Sequence, residues 1–128
     1  MAAERFPPAF AAGVRHFNAA RYFEAHEAFE ELLDAVEDDG RWDLLVALIQ
    51  IAVGYHKVAS GHPGGARMLG LGLEKLAPVP AVAWGVDVEA LRTRVAADAT
   101  AATDGSLPAR LAATPPSIVM RRAETPAD

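Results

Sequence analysis

The sequence predicts an all-α protein, an antiparallel bundle of about five helices whose third helix is buried at the centre. Alanine is abundant while β-branched residues are few, and apolar residues recur at helical spacing through most of the chain. The segment Leu44–Tyr55 is apolar almost all round. A helix without a polar face is normally surrounded by other helices, so we expect this one to be central.

The first three helices are predicted from apolar periodicity and from residues that begin or end helices. The pair Pro7-Pro8 suits a first helical turn, and this helix is expected to end about Asn18. The second helix is expected from about Ala20 to Glu37, followed by Gly40 as a left-handed cap. The third helix is expected from about Trp42 to Ser60.

The remaining elements follow a glycine-rich break at residues 61–65. A fourth helix is expected from about Pro63 to Leu76, and a fifth after Asp87, which is a suitable N-cap. The inner face of the fifth helix is marked by apolar residues: Leu91, Val95 and Ala99. Residues 1–104 are expected to form the bundle domain and residues 105–128 an irregular C-terminal arm. Within the arm, we expect Leu107–Leu111 to add one more turn and Ile118–Met120 to cross the bundle.

Composition and charge argue against several classes of function. With 128 residues the chain is expected to form one bundle, and the absence of cysteine excludes disulfides, thiolate metal sites and a cysteine nucleophile. The net charge of −5, with scattered lysine and arginine, argues against nucleic-acid binding. The longest apolar stretch is shorter than the ~18 residues that a membrane span needs. The first residues lack the pattern of a secretion signal, so we expect a cytoplasmic protein without a membrane partner.

Polar side chains inside apolar helical segments mark a candidate site. His26 and Glu30, four residues apart, share one helix face with Tyr22 and Phe29, and this face is expected to turn inward. A buried histidine and a buried carboxylate need partners, which the third helix offers. The predicted binding pocket therefore comprises polar residues of helices two and three: His26, Glu27, Glu30, Gln50, Tyr55 and His56.

Two chemical interpretations of this pocket are open. The pattern His-Glu-x-x-Glu has the spacing of a zinc-protease motif with glutamate in place of the second histidine. On this interpretation His26, Glu30 and His56 are candidate ligands of a divalent metal, and Glu27 is a candidate catalytic base. The other interpretation is a buried hydrogen-bond network in which His26 pairs with Glu30 or Gln50. The sequence alone assigns no catalytic residue, no certain cofactor and no definite enzymatic activity.

Several blocks between about Phe10 and Leu76 together resemble a known family of small helical proteins. The blocks are Phe17-Asn18, Tyr22–Glu27, Glu30-Glu31, Leu48–Gln50, Tyr55-His56, Gly61 and Gly65-Ala66. They are similar to the family catalogued as domain of unknown function 309, whose members are compact all-helical prokaryotic proteins without an established activity. The resemblance implies the same fold and a site that includes His26, Glu27, Glu30, Gln50 and His56, but no reaction. The chain differs from the family pattern at Leu33, where tryptophan is frequent, and at His62, where asparagine is.

The leading functional prediction is a protein that binds a small molecule or a peptide segment in a polar pocket between helices two and three. One alternative is a metal-dependent hydrolase-like enzyme. Another is a tetratricopeptide-like scaffold, which rests on a faint repeat between residues 20–33 and 61–74. A homodimer is also expected, because Trp42, Trp84 and Ile118–Met120 supply more apolar surface than a small bundle easily buries.

Overall fold

A computed structural model describes residues 7–36 and 41–121 of the chain. Within these residues it contains six α-helices, one 3-10 turn and a two-stranded hairpin, so the predicted all-α bundle is confirmed. The elements in chain order are α1 (Pro8–Asn18), α2 (Tyr22–Glu30), the 3-10 turn (Leu33–Ala35), α3 (Arg41–Ala59), α4 (Gly65–Leu76), β1 (Val82–Ala83), β2 (Val86–Asp87), α5 (Val88–Asp104) and α6 (Leu107–Ala113).

The helix α3 lies at the centre of the bundle, as its apolar sequence predicts. It packs against α2, α4, α6 and the 3-10 turn. Its largest buried side chains are Leu44, Leu45, Leu48, Ile51 and Tyr55. By length and composition α3 is also apolar enough to cross a membrane. A buried core helix passes the same test, so this property is weak evidence for a membrane span.

The second helix is shorter than its apolar pattern predicts. The helix α2 ends at Glu30. After Glu30 the hydrogen-bond spacing shortens from four residues to three, because the Leu32 amide donates to the carbonyl of Phe29 at 3.0 Å. Phe29 and Leu32 are both buried, and the 3-10 turn follows. The predicted stop around Gly40 lies outside the described residues.

The helices α3 and α4 pack closely because glycines face their contact. A Cβ atom on Gly72 would lie 2.5 Å from Cγ1 of Ile51, and one on Gly65 would lie 2.5 Å from Cγ2 of Val58. Protein interiors are close-packed, so a larger side chain at either glycine would displace its neighbour. The helix α4 begins slightly later than predicted, after Gly64 turns the chain with a φ of +96°.

The start of α5 agrees with the sequence pattern, and its inner face agrees in part. Oδ1 of Asp87 accepts a hydrogen bond from the Ala90 amide at 2.9 Å, which confirms the predicted N-cap. Leu91 and Val95 are buried as expected, whereas Ala99 is only half-buried. The fully buried residue at this level is its neighbour Asp98.

The C-terminal part contains more regular structure than the sequence pattern predicts. The strands β1 and β2 pair antiparallel through a turn at Trp84-Gly85, where both residues have positive φ angles. Met120 of the arm forms a bridge to Val86 of β2. The arm, expected to be irregular with one possible turn, contains the seven-residue helix α6, and its Ile118 is buried.

Candidate functional site

The six predicted pocket residues do not share one pocket. His26 and His56 line the same cleft between α2 and α3. Glu27 is exposed, and the Glu30 side chain is 53% exposed, so the prediction that Glu30 turns inward is wrong. A carboxylate loses much hydration free energy on burial, and at this position it remains in water. The other two predicted residues, Gln50 and Tyr55, have different surroundings.

The cleft that contains His26 and His56 has a volume of about 390 Å³, and we call it the histidine cleft. The lining residues come from α2, α3 and the segment before α4: Phe23, His26, Val53, His56, Lys57, His62 and Pro63. Residues three or four apart on a helix lie on one face, which explains why each helix contributes residues at this spacing. Two of the three lining histidines, His26 and His56, were predicted as site residues, and His62 was not.

Phe23 lies between the two predicted histidines. Its ring centroid is 4.8 Å from that of His26 and 5.4 Å from that of His56. The Phe23 side chain is nevertheless 46% exposed, which is unusual for a large apolar residue. The three rings therefore form a continuous aromatic wall that is open to solvent.

The hydrogen bond of His26 determines which ring nitrogen is available. Its Nδ1 lies 2.6 Å from the backbone carbonyl of Phe23. A carbonyl only accepts, so Nδ1 carries the proton, and in the neutral ring Nε2 is an acceptor. Nε2 lies 4.0 Å from Oε1 of Glu30, which is too long for a hydrogen bond. The predicted network through Glu30 or Gln50 is therefore not formed, and among the described residues none forms a hydrogen bond with Nε2.

Gln50 belongs to a different surface from the histidines. It is six residues before His56 on the same helix, which corresponds to a rotation of about 240° around the helix axis. It lines a smaller cleft of about 260 Å³ with Leu71, Glu74 and Lys75. Its Oε1 is buried and has no hydrogen-bond partner among the described residues. Gln50 thus faces α4, whereas the histidine cleft lies beside α2.

Tyr55 is part of a buried polar cluster that the sequence pattern does not predict. Its hydroxyl donates to Oδ2 of Asp98 at 2.5 Å. Nε of Arg94 donates to the same oxygen at 2.7 Å, and Nε of Arg110 donates to Oδ1 at 2.5 Å. We call these four residues the aspartate cluster. Asp98 follows Leu91 and Val95 at helical spacing, and this was the one signal that could have revealed it.

The aspartate cluster keeps its tyrosine protonated. Burial raises the pKa of Tyr55 well above its ordinary value, and the hydrogen bond to Asp98 raises it further. Burial also raises the pKa of the neighbouring Tyr22, whose ring centroid is 5.4 Å from that of Tyr55. Both carboxylate oxygens of Asp98 are satisfied within the fold, so this cluster has the properties of a structural anchor.

The metal interpretation receives no direct geometric support. In the described part of the chain, no group of three or more histidine, aspartate or glutamate side chains is arranged to hold a metal ion. His26 and Glu30 are one helical turn apart, and His56 is across the cleft from α2. Metal binding by these three residues stays a prediction.

The comparison with known families agrees with the resemblance that the sequence shows. Residues 10–69 match the family described as domain of unknown function (DUF309), so the resemblance is confirmed. No curated protein matches the chain. The matched residues include the whole lining of the histidine cleft, whereas Arg94, Asp98 and Arg110 lie beyond them. The family description names no activity.

Proposed function

We propose that this protein, whose residues 10–69 match the DUF309 family, binds a small ligand in the histidine cleft. The proposal is supported by the size of the cleft together with its lining. Small-molecule sites usually have volumes of about 300–1,000 Å³ and combine apolar walls with a few polar groups. The histidine cleft has a volume of about 390 Å³ and the same mixed lining.

The lining suits a ligand that has both apolar and polar parts. Phe23, Val53 and Pro63 offer apolar surface, whereas the histidine rings and the Lys57 ammonium group offer hydrogen bonds. The Phe23 ring is already exposed, so a ligand that covers it gains apolar contact without first opening the core.

The proposal is tested by NMR spectroscopy of ¹⁵N-labelled protein to which small aromatic fragments are added one at a time. A fragment that binds in the cleft should shift the amide signals of its lining residues. Phe23→Ala removes the exposed ring and should weaken this binding about tenfold, equivalent to about 1.4 kcal/mol. Val82→Ala, an equally exposed apolar residue on the hairpin, is the matched control and should bind like the wild type. Equal binding to wild type and Phe23→Ala, or the absence of any cleft shift, would contradict the proposal.

A divalent metal is a second candidate ligand, and the hydrogen bond of His26 favours it. Metal-binding histidines commonly donate their second ring nitrogen to a carbonyl or carboxylate, as Nδ1 of His26 does. Glu30 and His56 would be the further ligands, and Glu27 would act as a base only in a metal-dependent hydrolase-like enzyme. Elemental analysis of untagged protein, followed by zinc titration of wild type and Glu30→Gln, tests this alternative. Zinc should bind the wild type more tightly than the variant.

A cytoplasmic homodimer is a further part of the proposal. The lack of cysteine fits a reducing compartment. The apolar surface available for a dimer is smaller than the sequence suggests, because Trp84 and Ile118 are only 8% and 2% exposed. Trp42 remains 37% exposed and is the best candidate for the contact. Sedimentation at micromolar concentration should show a dimer for the wild type and a monomer for Trp42→Ser, whereas a monomeric wild type would contradict the proposal.

A further inference from the structure

The histidine cleft has an electrostatic character that differs from the rest of the chain. The protein carries a net charge of −5, with 17 acidic residues against 12 lysines and arginines. Among the described residues, the lining of the cleft nevertheless contains one lysine, three histidines and no carboxylate. We infer that the ligand of this cleft is a small organic anion with a flat apolar body. The inference rests on the proposed function and specifies the chemical class of the ligand.

The charge of Lys57 is available to such a ligand. Among the residues that the structure describes, Lys57 has no ion-pair partner, and it is only half-buried. The lysine of α4 behaves differently: Nζ of Lys75 lies 3.8 Å from Oδ1 of Asp43 and 5.6 Å from the ring centroid of Trp42. An unpaired ammonium group in a concave surface attracts an anion more strongly than one on an open surface, because water screens it less.

The remaining lining residues fit the two parts of this ligand. His56 and His62 carry ring N–H groups that can donate to a carboxylate or phosphate oxygen. The half-exposed ring of Phe23 provides a face or an edge against which a flat apolar body can pack. A ligand that lacks either the negative group or the apolar body would leave part of this surface without a partner.

Glu30 lies near the ring of His26, and a substitution of Glu30 distinguishes an anionic ligand from a metal ion. Its Oε1 is 4.0 Å from Nε2 of His26, but it does not line the cleft. Removing its charge with Glu30→Gln should leave the affinity for an anion unchanged or raise it, because a repelling charge is lost. The same substitution should weaken the binding of a divalent metal, which needs the carboxylate as a ligand.

Three probes with the same ring system test the ligand class: 2-naphthoate, 2-naphthyl phosphate and the neutral 2-naphthamide. Each is titrated into the ¹⁵N-labelled full chain, and the shifts of the cleft amides are followed. We expect both anions to bind at least about tenfold more tightly than the neutral amide, a difference of about 1.4 kcal/mol. The two anions also distinguish a carboxylate ligand from a phosphate ligand.

Substitution of the lysine provides the second measurement. Lys57→Met keeps the length of the side chain and removes its charge. It should weaken the binding of both anions about tenfold and the binding of 2-naphthamide by less, because the amide loses a hydrogen bond but no charge attraction. Lys75→Met is the matched control and should alter none of the three affinities. Circular dichroism of each variant checks that the helices are intact.

The outcomes separate the inference from the proposed function. If 2-naphthamide binds as tightly as the anions, or if Lys57→Met leaves the anion affinities unchanged, the cleft binds ligands but the anion class is wrong. If all three probes fail to shift the cleft amides, the anion class is again wrong, and the fragment measurements decide whether the cleft binds anything. Tight anion binding that Lys57→Met weakens and Glu30→Gln does not weaken would support the inference and contradict a metal site.

Discussion

The hydroxyl of Tyr55 donates a hydrogen bond to the carboxylate of Asp98 at 2.5 Å and so joins the central helix α3 to α5. Asp98 also accepts from Arg94 on its own helix and from Arg110 on α6. One fully buried carboxylate therefore connects three helices. A buried charge is tolerated only when it is paired and hydrogen-bonded, and here all its partners come from the chain itself.

The aspartate cluster should contribute strongly to stability. Asp98→Ala leaves Tyr55 without its acceptor and both arginines without a carboxylate, so we expect a loss of about 2–4 kcal/mol in the free energy of unfolding. This loss in the free energy of unfolding is smaller than the loss expected from breaking a fully buried ion pair, because Arg110 is partly exposed and water can solvate it. Urea denaturation measures the loss. Asp43→Ala, which removes a surface pair with Lys75, is the control and should cost less than about 1 kcal/mol.

The raised pKa of Tyr55 predicts a loss of stability at alkaline pH. The folded state holds this tyrosine protonated, whereas in the unfolded chain it ionises near the ordinary tyrosine pKa of 10.0. The stabilisation is thus fully present below about pH 10 and decreases as the pH rises above it, with a slope of at most about 1.4 kcal/mol per pH unit for one proton. Denaturation of wild type and Tyr55→Phe between about pH 8 and 11 measures the difference. Equal slopes above pH 10 would contradict the prediction.

Helical spacing predicts some site residues and misses others for a definable reason. The helical spacing of residues in α2, together with the expectation that α3 packs beside it, was enough to place His26 near His56. The same reasoning could not orient Gln50, because α3 is apolar almost all round and its sequence does not reveal which neighbour each side faces. Glu30 was misplaced because the sequence does not show where the inward face of α2 ends.

The sequence pattern did not reveal Asp98, because either of two adjacent residues, Asp98 or Ala99, could occupy the inner face of α5. Ala99 and Asp98 differ by about 100° around α5, and hydrophobicity alone favours the alanine. The partners that make an inward aspartate stable, Tyr55 and Arg110, are distant in sequence and come together only in the fold. The hairpin was missed because strands of two residues are too short to show an alternating pattern.

Gln50 should be replaceable without loss of stability. Its Oε1 is buried, and no described residue forms a hydrogen bond with it; such a group costs free energy that an apolar side chain does not. We therefore expect Gln50→Leu to leave the free energy of unfolding unchanged or to raise it by up to about 1 kcal/mol. Chemical denaturation of both proteins measures the effect. A loss of more than about 1 kcal/mol would indicate that Gln50 satisfies a buried neighbour after all.

Asn18 should hold the C-terminal arm in place. Its Oδ1 accepts from the Ile118 amide at 2.6 Å, and its Nδ2 donates to the Ile118 carbonyl at 3.1 Å. Asn18→Ala removes both bonds, so the Ile118 amide should exchange its hydrogen at least about tenfold faster, while α3 exchanges at its former rate. Arg21→Ala removes an exposed contact with His16 near the same helix end and should leave the arm unchanged. Slow exchange of the Ile118 amide in Asn18→Ala would contradict the prediction, because it would show that other contacts are sufficient to hold the arm in place.

The close contact between α3 and α4 can be tested with two glycines of the same helix. A Cβ atom on Gly72 would lie 2.5 Å from Cγ1 of Ile51 and 3.3 Å from the carbonyl oxygen of Ala47, whereas one on Gly70 would meet nothing within 4 Å. Gly72→Ala should therefore lower the free energy of unfolding by about 1–3 kcal/mol, because the helices must separate or repack. Gly70→Ala should raise it by about 0.5–1 kcal/mol, since alanine is the better helix former. Thermal and urea denaturation of the two variants give the comparison, and equal effects of the same sign would mean that α4 does not pack on α3 through Gly72.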